Sequence, residues 1–148
     1  SASVVMNSEA ADETSNADVT FVYPVENRSV SADYQSRNED SENFHHGIDF
    51  AWNGCEGSDI SAAADGIVSD SAYNSNYGNY VVVDHGNGYS TIYAHLSEIS
   101  VSIGDSVKTG EKIGLLGSTG MATGANLHFE VREDGIARDP QLYMFYPF

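Results

Sequence analysis

The sequence predicts an all-β, mainly antiparallel fold in which the strands pack as a compact sandwich or flattened barrel with few short helices. From residue 21 onward, short runs rich in β-branched and aromatic residues are separated by Gly, Asn and Asp. The β-branched and aromatic residues favour strands, and Gly, Asn and Asp favour the turns between them. No segment beyond residue 20 has the long 3.6-residue apolar period of an amphipathic helix. Strands joined by tight turns therefore account for most of the chain.

Three predicted strands lie within residues 66–96. The runs GIVSDSAY (66–73) and NYVVVDHG (79–86) are strand-like. The Asn-Gly pair at 87–88 is typical of a type I′ hairpin turn and leads into YSTIYAHL (89–96).

The later predicted strands are shorter. Residues 101–117 contain brief strand-like runs with glycine turns. The run LHFEVRE (127–133) alternates strictly between apolar and polar residues, and the Asp-Gly pair at 134–135 turns the chain back. In this alternation Leu127, Phe129 and Val131 share one face of the strand, so His128, Glu130 and Arg132 share the other.

Length and composition predict one domain preceded by a tail. A chain of 148 residues suffices for one domain with a core. Residues 1–20 are rich in Ser, Ala, Asn and acidic residues and contain no basic residue, so we expect a flexible acidic tail or linker. Residues 21–148 then form the domain. The sequence begins without Met or a signal region, and we expect a mature or trimmed form of a longer product.

The charge of the chain excludes some classes of partner. Its 22 acidic and 6 basic residues give a net charge of −16. Such a surface repels nucleic-acid phosphates and anionic lipid headgroups, so we expect neither nucleic-acid binding nor direct membrane binding. The lone Cys55 excludes an intrachain disulfide framework.

Three separated segments supply candidate metal ligands. His45 and Asp49 lie four residues apart around Gly47, which allows the backbone to bend so that both side chains converge. A third ligand is His128, which a strand can project rigidly. Two imidazoles and one carboxylate leave the fourth tetrahedral position of Zn²⁺ open for water, the arrangement of a catalytic zinc site. His95, at the end of YSTIYAH, then serves in proton transfer or oxyanion stabilisation. Taken singly, each histidine is better explained as an ordinary surface or hydrogen-bonded residue, and only the joint arrangement makes a metal site an equal alternative.

Five segments of the chain, in order, resemble the lysostaphin-type (LytM-type) zinc metallopeptidases, which are bacterial peptidoglycan endopeptidases. The resemblance covers residues 21–143 and rests on the following motifs: FHHGIDFA, AAADGIVSDS, YGNYVVVDHGNGYSTIYAHL, GDSVKTGEKIGLLGSTGMATGANLHFEVREDG and RDP. It implies a compact antiparallel β fold with a groove.

The resemblance assigns roles to individual residues. The family's H-x-x-x-D zinc ligands fall on His45 and Asp49, and the second histidine of its H-x-H motif falls on His128. The catalytic histidine falls on His95. The first histidine of H-x-H, a second catalytic residue, is replaced by Asn126. Of the family's FG-x-R segment, only Arg37 agrees.

The replacement at Asn126 divides the implied function into two hypotheses. An amide keeps hydrogen-bonding capacity but cannot exchange a proton near neutral pH. The favoured hypothesis is a hydrolase that cleaves a cross-link or stem peptide of peptidoglycan slowly. The alternative is a zinc-binding module that holds a wall peptide or a partner protein without useful turnover. Both imply export, with the protein secreted or attached to the membrane or cell wall. Neither fixes the scissile bond or the oligomeric state.

Other features have simpler interpretations. GDSVKTGEKIGLLG resembles the hairpins of biotinyl and lipoyl carrier domains, but Lys108 and Lys112 lack the setting of a modified lysine. We therefore reject carrier function. We interpret His46 as solvated, and His85 as structural or at the groove rim rather than catalytic. Cys55 lies in the loop-like stretch WNGCEGS, so we disfavour a zinc-ligand role for it. A groove-lining role is open for Trp52 and for the tyrosines Tyr73, Tyr77 and Tyr80.

Overall fold

The computed structural model describes residues 20–34 and 45–145. The tail expected at residues 1–20 lies outside these residues except for Thr20, and Arg37 also lies outside them. Within the described part of the chain, no helix has the length and apolarity that a membrane crossing requires.

Twelve strands account for most of the described residues. They are β1 (Phe21–Val22), β2 (Val30–Ala32), β3 (Ile48–Phe50), β4 (Asp59–Ser61), β5 (Gly66–Asn74), β6 (Gly78–Gly86), β7 (Tyr89–Ile99), β8 (Ser106–Val107), β9 (Lys112–Leu116), β10 (Leu127–Glu133), β11 (Ile136–Arg138) and β12 (Met144–Phe145). The helical structure in the described ranges is one short 3₁₀ turn, Pro140–Leu142.

Ten of the strands form one antiparallel sheet. Its main path runs in the order β2-β3-β10-β7-β6-β5-β8, while β11 pairs with β10, and β9 pairs with both β7 and β4. Strands β1 and β12 form a separate parallel pair. The predicted all-β antiparallel class is confirmed, and the sheet is open rather than closed into a barrel.

The two hairpin turns predicted from the sequence have the backbone that type I′ turns require. Asn87 and Gly88 have φ angles of 56° and 86°, and Asp134 and Gly135 have φ angles of 53° and 83°. Two consecutive positive φ angles match the right-handed twist of the flanking strands. The first turn joins β6 to β7, and the second joins β10 to β11.

Strand β10 separates the apolar core from a polar site. Leu127, Phe129 and Val131 are fully buried in the core, as their alternation predicts. On the opposite face His128 and Glu130 are also buried, with exposures of 8% and 1%. A polar face can be buried in this way only when hydrogen bonds satisfy its polar groups. The centre of the sheet therefore carries an enclosed polar network.

Gly78, at the start of β6, is required for both its backbone conformation and its small size. Its φ angle is +68°, and a Cβ atom there would overlap the Oγ1 and carbonyl carbon of Thr119. We expect Gly78→Ala to lower the free energy of unfolding by more than the roughly 1–3 kcal/mol that backbone strain alone costs. Urea unfolding measures this loss.

Gly104 provides the matched control for this substitution. Its φ angle is +96°, but no atom lies within 4 Å of the position that a Cβ would occupy. Gly104→Ala therefore adds strain without overlap and should cost less than Gly78→Ala. Equal losses in the two variants would contradict the role assigned to the contact with Thr119.

Candidate metal centre

The three expected metal ligands converge at the junction of β3 and β10. Asp49 and His128 lie directly opposite each other across these antiparallel strands. The Nδ1 atom of His128 is 2.8 Å from Asp49 Oδ1, and the Nε2 atom of His45 is 3.2 Å from the same oxygen. One potential ligand atom from each residue lies within 4.8 Å of the other two. Two imidazoles and a carboxylate at this spacing form a donor set suited to Zn²⁺.

A backbone carbonyl orients the ring of His45. Its Nδ1 lies 2.8 Å from the carbonyl oxygen of Asp33. Because carbonyl and carboxylate oxygens only accept hydrogen bonds, Nδ1 donates to Asp33 and Nε2 donates to Asp49, so Nε2 is the nitrogen that would exchange its proton for a metal ion. The hydrogen bond to Asp49 is also the main reason why the pKa of His45 is raised.

Carboxylates contact both nitrogens of the His128 ring. Nε2 lies 2.8 Å from Glu130 Oε2, on the side opposite Asp49. Burial opposes a charged ring, but the hydrogen bonds to Asp49 and Glu130 outweigh it and raise the pKa of His128 to about 9. Burial opposes a charged Glu130, but hydrogen bonds from His128 and Tyr77 and the positive charges of His128 and Arg132 outweigh it and lower the pKa of Glu130 to about 2. The pKa of Asp49 is likewise lowered despite its burial. The centre thus has an electrostatic preference for positive charge.

His95 is held beside this cluster by an unusual backbone conformation. Its φ angle of 70° is in the left-handed region, which non-glycine residues seldom adopt outside tight turns. Its backbone N–H donates to the carbonyl oxygen of Tyr77 at 2.7 Å. Nδ1 lies 2.8 Å from the carbonyl oxygen of Thr119, so Nδ1 carries the proton and Nε2 is left for the groove. Burial lowers the pKa of His95.

These residues line a groove with a cavity volume of about 380 Å³. The lining residues, which define the groove hereafter, are His45, His46, Asp49, Asn76, Tyr77, His95, Met121, His128 and Glu130. Four of the five residues singled out from the sequence are therefore brought together.

Asn126 is the expected site residue that does not line the groove. Its Nδ2 donates to the carbonyl oxygen of Gly124 at 3.0 Å. Its Oδ1 is buried and has no hydrogen-bond partner among the described residues. Its backbone N–H donates to the carbonyl oxygen of Gly117 at 3.0 Å. The side chain is thus directed toward its own loop in this structure.

Sequence reasoning assigned no role to Glu130, and for Tyr77 it left open a groove-lining role but not a contact with Glu130; Tyr77 does line the groove. The alternation of β10 placed Glu130 on the same face as His128, and that pattern was the available signal. The hydroxyl of Tyr77 donates to Glu130 Oε2 at 2.7 Å, across 53 positions of sequence, and no local pattern indicates this contact.

The remaining candidates lie in varied positions. His46 is exposed at the groove, whereas Tyr73, Tyr80 and Trp52 are not among its lining residues. The ring of His85 contacts the carbonyl oxygen of Asp65 and the hydroxyl of Thr91, at 2.7 and 2.8 Å. Cys55 is buried, with its Sγ donating to the carbonyl oxygen of Ala125 at 3.4 Å, and it is not in the ligand cluster.

Known proteins resemble this chain in sequence. Residues 43–140 match the sequence profile described as Peptidase family M23. A curated relative, the peptidoglycan DD-endopeptidase ShyC of Vibrio cholerae, is 39% identical over 122 residues, covering 80% of this chain and 28% of the relative. The chain thus spans well under half the length of that relative.

Solved structures also resemble the chain. A zinc-containing peptidase from Vibrio cholerae has a TM-score of 0.74 and 34% identity, covering 82% of this chain and 39% of the other. The structure of the SpoIIQ-SpoIIIAH pore-forming complex matches with a TM-score of 0.76 and 33% identity, covering 87% of this chain and 93% of the other. The resemblance inferred from the sequence motifs is confirmed.

Proposed function

This chain belongs to peptidase family M23, and from that membership we propose that it is a zinc metalloendopeptidase acting on peptide bonds of bacterial peptidoglycan. The observation that carries the proposal is the convergence of His45, Asp49 and His128 within 4.8 Å in a groove that His95 also lines. The relative ShyC, a peptidoglycan DD-endopeptidase, supports the substrate class.

The donor set fits a catalytic zinc ion. His45 Nε2, Asp49 Oδ1 and His128 Nδ1 would hold it, because each of these atoms faces the others at the groove. Three protein ligands leave a tetrahedral ion one further position. Zinc held there supplies Lewis-acid polarisation of a peptide carbonyl and lowers the pKa of water toward neutrality.

His95 is the proposed proton-handling residue. With its Nδ1–H fixed on the Thr119 carbonyl oxygen, Nε2 can accept a proton at the groove and later return it to the leaving amine. Asn126 is proposed as an auxiliary hydrogen-bond donor, and this role requires its side chain to rotate away from Gly124. Because an amide transfers no proton near neutral pH, we propose slow turnover that depends mainly on His95.

The substrate implies where the protein works. Peptidoglycan lies outside the cytoplasmic membrane, so we propose an exported protein that is extracellular or associated with the cell wall or membrane. The excess of acidic residues supports partners other than nucleic acid and anionic lipid.

A second candidate function is a zinc-binding module that holds a wall peptide or a partner protein. Two observations favour it. The side chain of Asn126 points toward Gly124 rather than into the groove. The chain also resembles a structure of a pore-forming complex of two proteins, SpoIIQ and SpoIIIAH. The two candidates agree on metal binding and differ in turnover.

Removal of a metal ligand tests the site itself. We expect the purified protein to contain about one zinc ion per chain. His128→Ala should weaken zinc binding by at least about 100-fold, because losing a ligand costs more than the 10–100-fold typical of an orienting partner. Elemental analysis and competition with a chromophoric chelator measure the stoichiometry and affinity.

His46→Ala is the matched control, since His46 is exposed at the same groove but is not in the ligand cluster. Its zinc affinity should stay close to that of the unmodified protein. A protein that remains metal-free after zinc addition, or His128→Ala with full affinity, would rule out the assigned centre.

A further inference from the structure

We propose that Glu130 is a positioning residue that fixes the ring of His128 so that Nδ1, and not Nε2, faces the metal. This inference rests on the metal centre of the proposed function. It assigns Glu130 no contact with the metal or with substrate. It makes the buried carboxylate, together with Tyr77 and Arg132, responsible for the geometry of one ligand.

Hydrogen-bond donors surround the Glu130 carboxylate. Oε2 accepts from the hydroxyl of Tyr77 at 2.7 Å and pairs with His128 Nε2 at 2.8 Å. Oε1 accepts from Arg132 Nε at 2.8 Å and forms an ion pair with Arg132 Nη2 at 2.6 Å. With an exposure of only 1%, Glu130 is thus held from both oxygens and has little freedom to rotate.

This arrangement determines which nitrogen of His128 carries a proton when a metal is bound. An ionised carboxylate only accepts hydrogen bonds, so Nε2 donates its proton to Glu130. Nδ1 is then the nitrogen with a free lone pair, and it faces Asp49 at 2.8 Å. A carboxylate behind a metal-binding histidine fixes its tautomer and its orientation in this way.

Glu130 differs from the groups that orient two other histidines of the groove. His45 is oriented by the carbonyl oxygen of Asp33, and His95 by the carbonyl oxygen of Thr119. Side-chain substitution cannot remove either acceptor. Of these three histidines, His128 is the one whose orienting acceptor is a side chain, so mutation can test its effect directly.

Glutamine is the informative replacement because it keeps the size of the side chain while changing its hydrogen bonding. His128, Tyr77 and Arg132 all present donors to position 130. An amide has one accepting oxygen and one donating NH₂ group, so at least one donor would face another donor. The ring of His128 would then lose its hydrogen-bond acceptor at position 130, or compete with Tyr77 and Arg132 for the one accepting oxygen.

The experiment compares zinc affinity in Glu130→Gln and Glu133→Gln by chelator competition. Glu133 lies on the same strand and is also paired with an arginine, Arg138, at 3.3 Å. We expect Glu130→Gln to bind zinc about 10–100-fold more weakly and Glu133→Gln to be unchanged within about twofold. In the zinc-loaded unmodified protein, ¹⁵N spectra should show that His128 binds zinc through Nδ1 alone. In zinc-loaded Glu130→Gln, they should show exchange between binding through Nδ1 and binding through Nε2.

A purely structural role for Glu130 gives a different result. It would lower the thermal stability of the metal-free protein while leaving zinc affinity and the metal-bound nitrogen unchanged, and this outcome would overturn the proposal. If Glu130→Gln does not fold, Tyr77→Phe decides, because it removes one donor to Oε2 and keeps the ring. A several-fold weaker zinc affinity in Tyr77→Phe supports the proposal, and an unchanged affinity overturns it.

Failure of this inference is distinguishable from failure of the proposed function. If the unmodified protein binds no zinc, the metal centre is wrong and the positioning role is overturned with it. If the unmodified protein and Glu130→Gln bind zinc equally well, the centre stands and the role of Glu130 alone is overturned. Neither measurement depends on peptidase activity.

Discussion

Replacing Asn126 with His is expected to raise the rate of peptidoglycan cleavage by about 10²–10⁴-fold, the usual contribution of a general acid–base group. Residue 126 lies two positions before His128, so a side chain that rotates away from Gly124, toward which that of Asn126 now points, can reach the face of His128. An imidazole there can exchange a proton near neutral pH, whereas the amide of Asn126 cannot. The initial rate of fragment release, followed by mass spectrometry, measures the gain.

Asn126→Gln separates the chemistry of imidazole from a simple change of size. Glutamine keeps the amide, so we expect its rate to stay within a few-fold of the unmodified protein. Zinc content should be the same in all three proteins, because Asn126 is not in the ligand cluster. An unchanged rate in Asn126→His with zinc still bound would show that this position does not limit turnover.

Replacing His95 with Asn is expected to lower the rate of cleavage by about 10²–10⁴-fold, because it removes the proposed proton-handling group. Asparagine is the suitable replacement since it tolerates the left-handed region better than most residues, and His95 has a φ angle of 70°. The backbone hydrogen bond from residue 95 to Tyr77 can then persist. Loss of activity in a folded protein therefore reports on the imidazole.

Two comparisons make the His95 result interpretable. His46→Asn changes a histidine in the same groove and should leave the rate within a few-fold. Zinc affinity in His95→Asn should remain close to that of the unmodified protein, since His95 is outside the ligand cluster. If His95→Asn cleaves as fast as the unmodified protein, another group carries the proton and the assigned mechanism is wrong.

The sequence predicted those parts of the fold that depend on local patterns. The Asn-Gly and Asp-Gly pairs require positive φ angles, and Asn87 and Asp134 have them. Strict alternation in β10 placed the faces of Phe129 and His128 correctly. Such patterns arise from neighbouring residues, so they can be recognised without knowledge of the tertiary structure.

Tertiary contacts determine the parts that the sequence did not predict. The hydroxyl of Tyr77 reaches Glu130 only because the β5–β6 turn packs beside β10. The φ angle of His95 and the orienting carbonyl of Thr119 likewise depend on how separate loops meet. The placement of the Asn126 side chain toward Gly124 is also a property of the folded loop.

The side-chain position of Asn126 bears directly on the choice between hydrolase and binding module. Metal binding depends on His45, Asp49 and His128 and does not distinguish the two functions. Turnover depends on proton transfer. His95 lines the groove without belonging to the ligand cluster, and the centre of its ring lies 6.0 Å from that of the ligand His128. The central claim is therefore that His95 suffices for slow hydrolysis.

Digestion of purified peptidoglycan tests this claim most directly. The zinc-loaded protein is incubated with walls of several peptide types, and released fragments are identified by mass spectrometry. We predict slow cleavage of a peptide bond that a chelator stops and that is lost in His95→Asn. Intact walls with the unmodified protein, but cleavage by Asn126→His, would contradict the hydrolase and establish the binding module. Intact walls with both proteins would contradict peptidoglycan as the substrate.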